Sequence, residues 1–133
     1  MFARRHYAAG EVIGEIEGTV MEATDYASSY CYSMGDHRTL EPDAPFRFLN
    51  HSCLPNSRFE WYDVESPEGG ATERRVFVLA LDAIRPGDEF TIDYRWPPQM
   101  AIPCRCGAAN CRGWVIDLDD LDDFLAARAA AAE

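Results

Sequence analysis

A mainly β fold is predicted for this chain, and three observations predict it. Two stretches, "AAGEVIGEIEG" and "RPGDEFTIDY", share one plan, in which a glycine turn at Gly10 or Gly87 leads through an acidic residue into a strand. "RRVFVLAL", from Arg74 to Leu81, is an apolar run rich in Val and Phe, as a buried strand requires. Helical spacing is confined to the end of the chain.

Between the two glycine turns, Tyr30, Tyr32 and Met34 alternate with smaller or polar residues, so on a strand all three would face one side. "VESPEGGATE", around Pro67 to Gly70, is polar and glycine-rich and reads as an exposed hairpin loop. In "DLDDLDDFLAARAAAAE", residues 117–133, Leu118, Leu121 and Leu125 recur at helical spacing and aspartates fill the first turn, where the positive end of a helix favours them. This acidic C-terminal helix is read as solvated, with no functional role.

At 133 residues and 47% hydrophobic content, the chain suits one compact domain with a modest core. No apolar run approaches the length needed to span a bilayer, and no basic region followed by an apolar stretch opens the chain, so a soluble, intracellular protein without membrane association is expected. The formal charge of −11 argues against direct nucleic-acid binding, because a phosphate backbone is held by basic patches. A basic protein or peptide fits better. All 12 basic residues are arginine and none is lysine. A lysine-modifying activity therefore has no side chain of its own chain to act on.

The strongest chemical signal is "CRCGAANCRGW". Cys104, Cys106 and Cys111 crowd into a tight loop at a spacing that suits Zn2+ better than disulfides, since soft thiolates hold that ion at about 2.3 Å. Three ligands leave a tetrahedral site one short. Either water completes it and the metal is catalytic, or a distant residue such as Cys53 or Cys31 closes it and the metal is structural. "FLNHSCLPN", residues 48–56, has three readings on its own: a Cys-His hydrolase, a metal site, or a loop in which Asn50 and His51 cap backbone groups. His51 and Cys53 lie only two residues apart with no glycine-rich oxyanion loop beside them, which disfavours the hydrolase.

Taken in order and spacing, "AAGEVIGE", "YCYSM", "RFLNHSCLPN", "VFVLALDAIRPGDEFTIDY" and "CRCGAANCRG" resemble the SET-domain protein lysine methyltransferases, including their cysteine-rich post-SET tail. The resemblance runs to about Val115. It implies a SET domain over 1–97, with a β-clip-like fold of small sheets and a knot-like core in which Phe90 to Tyr94 passes beneath the loop carrying "NHSC". It further implies a post-SET zinc segment over 98–116, followed by the helix over 117–133.

By the same resemblance, Asn50 and His51 contact S-adenosylmethionine and Arg47 frames the cofactor pocket. Tyr94 is the catalytic tyrosine, and Tyr30 lines the junction between methyl donor and lysine channel. Cys53 is the fourth zinc ligand, with Cys104, Cys106 and Cys111. Trp114 covers the adenine or the channel mouth, or is a core tryptophan. Cys31 is left as a small residue in the interior.

The implied function is methyl transfer from S-adenosylmethionine to a lysine of a basic, histone-like protein. A free lysine, with a pKa near ~10.4, is protonated at neutral pH, so a narrow aromatic channel and the nearby sulfonium charge must disfavour the ammonium. Alignment of amine and methyl supplies the rest, with the Tyr94 hydroxyl orienting the amine. Two departures stand out. A Gly-x-Gly turn and first strand precede this region in the family, whereas this sequence begins "MFARRHYAAGEVIG". Weak cofactor binding is one expectation; a catalytically silent, zinc-stabilised binding module is the alternative. Second, Ile92 stands two residues before Tyr94, where the family tends to carry Phe or Tyr, so the number of methyls added is unreadable.

Overall fold

A computed structural model describes residues 1–22 and 30–132 of the chain. Three small sheets, two single-turn 3-10 helices (Phe46–Phe48 and Pro98–Met100) and one long α-helix account for the regular structure of those residues. The first sheet joins β1 (Val12–Ile16), β7 (Thr72–Ala80) and β6 (Ser57–Glu65) in the order β1-β7-β6, and the second joins β2 (Gly18–Met21), β4 (Arg38–Pro42) and β3 (Tyr32–Gly35) in the order β2-β4-β3. The third is a two-residue parallel pair, β5 (Asn50–His51) beside β8 (Thr91–Ile92). The helix α1 spans Leu118–Ala131.

The glycine turns predicted to open strands are left-handed, with φ of 84° at Gly10 and 92° at Gly87, which side-chain-bearing residues seldom adopt. The apolar run becomes β7, where Val76, Val78 and Ala80 are buried. Its partner β6 pairs with it from Ser57↔Ala80 to Glu65↔Thr72, and the polar loop closes the hairpin through Gly69 N–H to the Ser66 carbonyl at 2.9 Å. The strand after Gly87 is much shorter than its sequence suggests. Its first half, Gly87 to Phe90, pairs instead with the N-terminal segment, as Ala3 N–H to Asp88 O, Gly87 N–H to Ala3 O and Phe90 N–H to Met1 O show.

Tyr32 and Met34 face the core, being 7% and 2% exposed, but Tyr30 does not share their side of a strand. The ladder begins only at Tyr32, and Tyr30 sits before it at 43% exposure with the Arg47 guanidinium 4.1 Å from its ring centroid. Gly18 marks where β2 and β4 press together: a Cβ there would lie 2.1 Å from the Glu41 carbonyl oxygen.

The core gathers Ile16, Met34, Leu40, Val76, Val78 and Ile92 from all three sheets, with Phe46, Leu49, Ile84 and Phe90 from the segments between strands. Helix α1 contributes no buried residue. It leans on the domain through Phe124, whose ring meets Trp114 edge-on at 5.1 Å, rather than through Leu118 and Leu125, which are 64% and 42% exposed. Asp117 caps it by accepting the Asp119 N–H at 2.9 Å. Among the described residues no helix is long and apolar enough to cross a membrane.

Candidate active site and metal centre

The site is built where the chain crosses itself. β5 runs parallel to β8, pairing Asn50 with Thr91 and His51 with Ile92, and the Ser52 N–H donates to the Ile92 carbonyl at 3.0 Å. Asn56, at the end of the same loop, fastens the crossing with both ends of its amide. Its Nδ2 donates to the Glu89 carbonyl at 2.8 Å, and its Oδ1 accepts the Thr91 N–H at 2.9 Å. Sequence reasoning quoted Asn56 within its motif and gave it no task; a polar residue after a proline reads as an ordinary turn residue.

β8 then delivers Tyr94 into a cavity of 380 Å³. Tyr30, Tyr32, Phe59 and Trp96 share its wall with Tyr94, and Arg47 and Arg95 supply positive charge. Arg47 is fixed by Glu41, 2.8 Å from its Nη1, and by the Tyr30 ring. The Tyr94 hydroxyl donates to the Leu49 carbonyl at 2.5 Å, which leaves its oxygen lone pairs as acceptors. Burial, and then the neighbouring Tyr30 and Glu89, push its pKa above the ordinary tyrosine value, so the phenol stays protonated at neutral pH. Aromatic faces and an oxygen acceptor suit a desolvated amine or a sulfonium, while Arg47 and Arg95 are paired with Glu41 at 2.8 Å and Asp117 at 3.2 Å.

Of the residues expected at the cofactor, Arg47, Tyr30 and Tyr94 meet at this cavity. Asn50, His51 and Trp114 do not line it. Asn50 reaches across to Glu89 Oε2 at 2.8 Å. His51 has both ring nitrogens engaged: Nδ1 accepts the Tyr94 N–H at 3.1 Å, and Nε2 lies 3.4 Å from Cys53 Sγ. That pattern fixes a neutral imidazole with its proton on Nε2. Burial lowers the His51 pKa, outweighing the pull of Asp93 in the other direction. No nitrogen remains to act as a base. Trp114 is held between Phe124 and Arg128, whose guanidinium lies 4.4 Å from its ring centroid.

Behind His51, four sulfurs converge. Cys53, Cys104, Cys106 and Cys111 place their Sγ atoms within 4.8 Å of one another, and Cys53 and Cys104 are 3.8 Å apart. Four thiolates at about 2.3 Å from a tetrahedral zinc would have sulfurs about 3.8 Å apart, so the cluster fits that ion. Two backbone amides, of Cys53 and Ala108, hold the Cys106 thiol down at about 6, whereas burial pushes Cys104 up to about 12. Cys31 is not one of the four and borders the cavity instead.

One connection was not foreseen from sequence. Arg112, one residue after the last cysteine, turns its guanidinium inward with only 8% exposure and grips both oxygens of Asp93, the neighbour of Tyr94. The "CRG" triplet carried the signal, since an arginine inside a metal knuckle has a fixed backbone from which to reach.

A family model described as SET domain matches residues 1–95. The chain belongs to the SET domain family. Curated relatives of this SET domain include "Histone-lysine N-methyltransferase, H3 lysine-4 specific" of Cryptococcus neoformans var. neoformans serotype D (strain B-3501A), 29% identical over 136 residues covering 86% of this chain and 9% of the relative. "Histone-lysine N-methyltransferase 2B" of Homo sapiens is 32% identical over 130 residues, covering 84% of this chain and 4% of the relative. The SET domain described here thus spans a small part of the curated relatives it matches. Among solved structures, KRYPTONITE in complex with mCHG DNA and SAH superimposes with a TM-score of 0.67 at 27% identity, over 86% of this chain and 26% of that one. Its complex with mCHH DNA, an H3(1-15) peptide and SAH gives 0.60.

Proposed function

We propose that this SET domain transfers a methyl group from S-adenosylmethionine to a lysine of a basic, histone-like protein. The observation that carries the reading is the placement of Tyr94, whose phenol is pinned to the Leu49 carbonyl inside an aromatic cavity at the chain crossing. When bound, S-adenosylmethionine supplies an electrophilic methyl on a cationic sulfur. Tyr94 presents acceptor lone pairs that orient an incoming amine by its N–H. Tyr30, Tyr32, Phe59 and Trp96 exclude water, and their apolar surroundings disfavour the ammonium form of the lysine. Arg47 and Arg95, paired with Glu41 and Asp117, leave further guanidinium donors for the carboxylate of the donor. Alignment without a dedicated base suffices for such a step.

Zinc, held by Cys53, Cys104, Cys106 and Cys111, is assigned a structural part, because four protein ligands leave no position for a substrate. The cofactor contacts of Asn50, His51 and Trp114 belong to the proposal as well; Asn50 and His51 flank the crossing, and Trp114 stands on the post-SET side. Support for the cofactor comes from KRYPTONITE, solved with SAH, the product left when S-adenosylmethionine has given up its methyl. Support for the substrate comes from the H3(1-15) peptide of that protein's second complex and from the histone-lysine methyltransferase relatives. A second cavity of 530 Å³ shares Phe59 and Arg95 with the first and is lined by Glu60, Asp93, Asp117 and Asp119 against Arg58 and Arg95, a net negative wall suited to a basic chain. With a charge of −11, no direct nucleic-acid partner is part of this reading, and its setting is soluble and intracellular.

The test is label transfer from tritiated S-adenosylmethionine to histone H3. Label should appear on lysines of the histone and on no lysine of this chain, which has none. Tight binding of the histone with no transfer would replace this reading by that of a catalytically silent, zinc-stabilised binding module.

A further inference from the structure

We propose that Arg112 is a positioning residue for Tyr94, the strut through which the cysteine knuckle holds the catalytic strand in place. The inference rests on the methyl-transfer reading for what Tyr94 does, and on geometry alone for what Arg112 does. Arg112 follows Cys111 directly, so the knuckle fixes its backbone. Its N–H lies 3.4 Å from Cys53 Sγ, and its Nη1 donates to the Ile116 carbonyl at 2.5 Å. The remaining face of the guanidinium takes the Asp93 carboxylate in a two-pronged pair, the geometry in which arginine holds a carboxylate most firmly.

Asp93 is no ordinary partner for such a clamp. It directly precedes Tyr94, and its Oδ1 accepts the N–H of Arg95 at 3.1 Å. Arg95 has a φ of 52°, a left-handed conformation that a non-glycine residue holds only where its surroundings impose it. The chain must turn there for Trp96 to stack on Tyr94, at 5.3 Å between ring centroids. Arg112 therefore fixes the carboxylate that fixes the turn, and the turn aims both Tyr94 and Trp96 into the cavity. From the other side of Tyr94, His51 accepts its N–H and abuts Cys53, so two routes join the same four sulfurs to one tyrosine. Lysine cannot replace Arg112, since a point charge cannot span both carboxylate oxygens and the Ile116 carbonyl.

The experiment uses the full chain with its metal, and variants Arg112→Ala, Arg112→Lys and Asp93→Asn. Residue-resolved amide exchange should accelerate at Tyr94 and Arg95 by about tenfold or more in Arg112→Ala while the β6–β7 hairpin keeps its protection. Zinc content should stay at the parent value. The kcat for methyl transfer should fall about ten- to a hundredfold with the KM for S-adenosylmethionine little changed, because a remote misplacement of reacting groups costs that much. Millimolar ethylguanidinium should restore part of the lost rate in Arg112→Ala and none in Asp93→Asn, a response that a general loss of fold does not give. If Arg112→Ala fails to fold, Asp93→Asn should reproduce the exchange result, since the amide keeps the shape and removes the charge.

Unchanged exchange at Tyr94 and Arg95 in the folded variants would overturn the proposal. So would loss of zinc together with protection across the hairpin, which would make Arg112 a fold-holding residue only. Should the parent transfer no methyl group, the function proposed above fails and the exchange result still decides the strut.

Discussion

At the scale of single residues, the site divides into groups whose type announced them and groups whose partners did so. The three knuckle cysteines were legible because thiolates at that spacing have few other uses, and Tyr94 was legible through its motif. What sequence could not show is direction. His51 turns its ring toward Tyr94 N–H and Cys53, and Asn50 toward Glu89, because parallel pairing of β5 with β8 sends alternate side chains to opposite faces. The Arg112–Asp93 pair joins residues 19 apart and needed the fold to appear. Cys53→Ser should lower zinc content well below one ion per chain and loosen the C-terminal segment, whereas Cys31→Ser should do neither; metal analysis with limited proteolysis reads both outcomes. The raised pKa of Tyr94 makes a pH prediction. Burial moves ionisation of the phenol above the ordinary tyrosine range, so its protonated form persists while the substrate amine, with a pKa near ~10.4, is progressively deprotonated. Methyl transfer to a peptide should therefore climb from pH 7 to 9.5 in a pH–rate profile, and a falling limb within that window would contradict the assignment of Tyr94's hydroxyl.

At the scale of elements, β7 and the β6–β7 loop were readable because apolar β-branched runs and Gly-rich polar turns have strong local preferences. One reading went astray for a tertiary reason. Tyr30 alternates with Tyr32 and Met34, yet the ladder of β3 opens only at Tyr32, where β4 supplies a partner at Leu40. The helical spacing of the α1 leucines was right, but it could not show which residue meets the domain: that is Phe124, which with Arg128 meets Trp114. Gly18 shows how closely the second sheet is drawn together. Because an added Cβ would strike the Glu41 carbonyl oxygen, which belongs to the backbone and cannot rotate away, Gly18→Ala must part β2 from β4. The expected cost is about 1–3 kcal/mol, as for other overpacked sites, and urea unfolding of the two proteins measures it.

At the scale of the whole molecule, the proposed basic partner makes a prediction about salt. A net charge of −11 steers a basic protein toward the surface and repels an acidic one. Raising salt from 50 to 300 mM should slow transfer to a histone through kcat/KM, since the Debye length shrinks to less than the span of the acidic surface; a salt-independent rate would remove steering from the account. Composition told this much without the fold, but only the crossing of β5 and β8 explains why one acidic β domain becomes a candidate enzyme: it brings a tyrosine, an aromatic wall and a cysteine cluster to the same few residues. The central claim is that Tyr94 orients the reacting amine, and single-turnover methyl transfer by Tyr94→Phe tests it most directly. The substitution removes one oxygen and keeps the ring, so S-adenosylmethionine binding, measured by calorimetry on the same samples, should match the parent while the rate falls on the order of a hundredfold. A Tyr94→Phe protein that transfers methyl groups to histone as fast as the parent would contradict it.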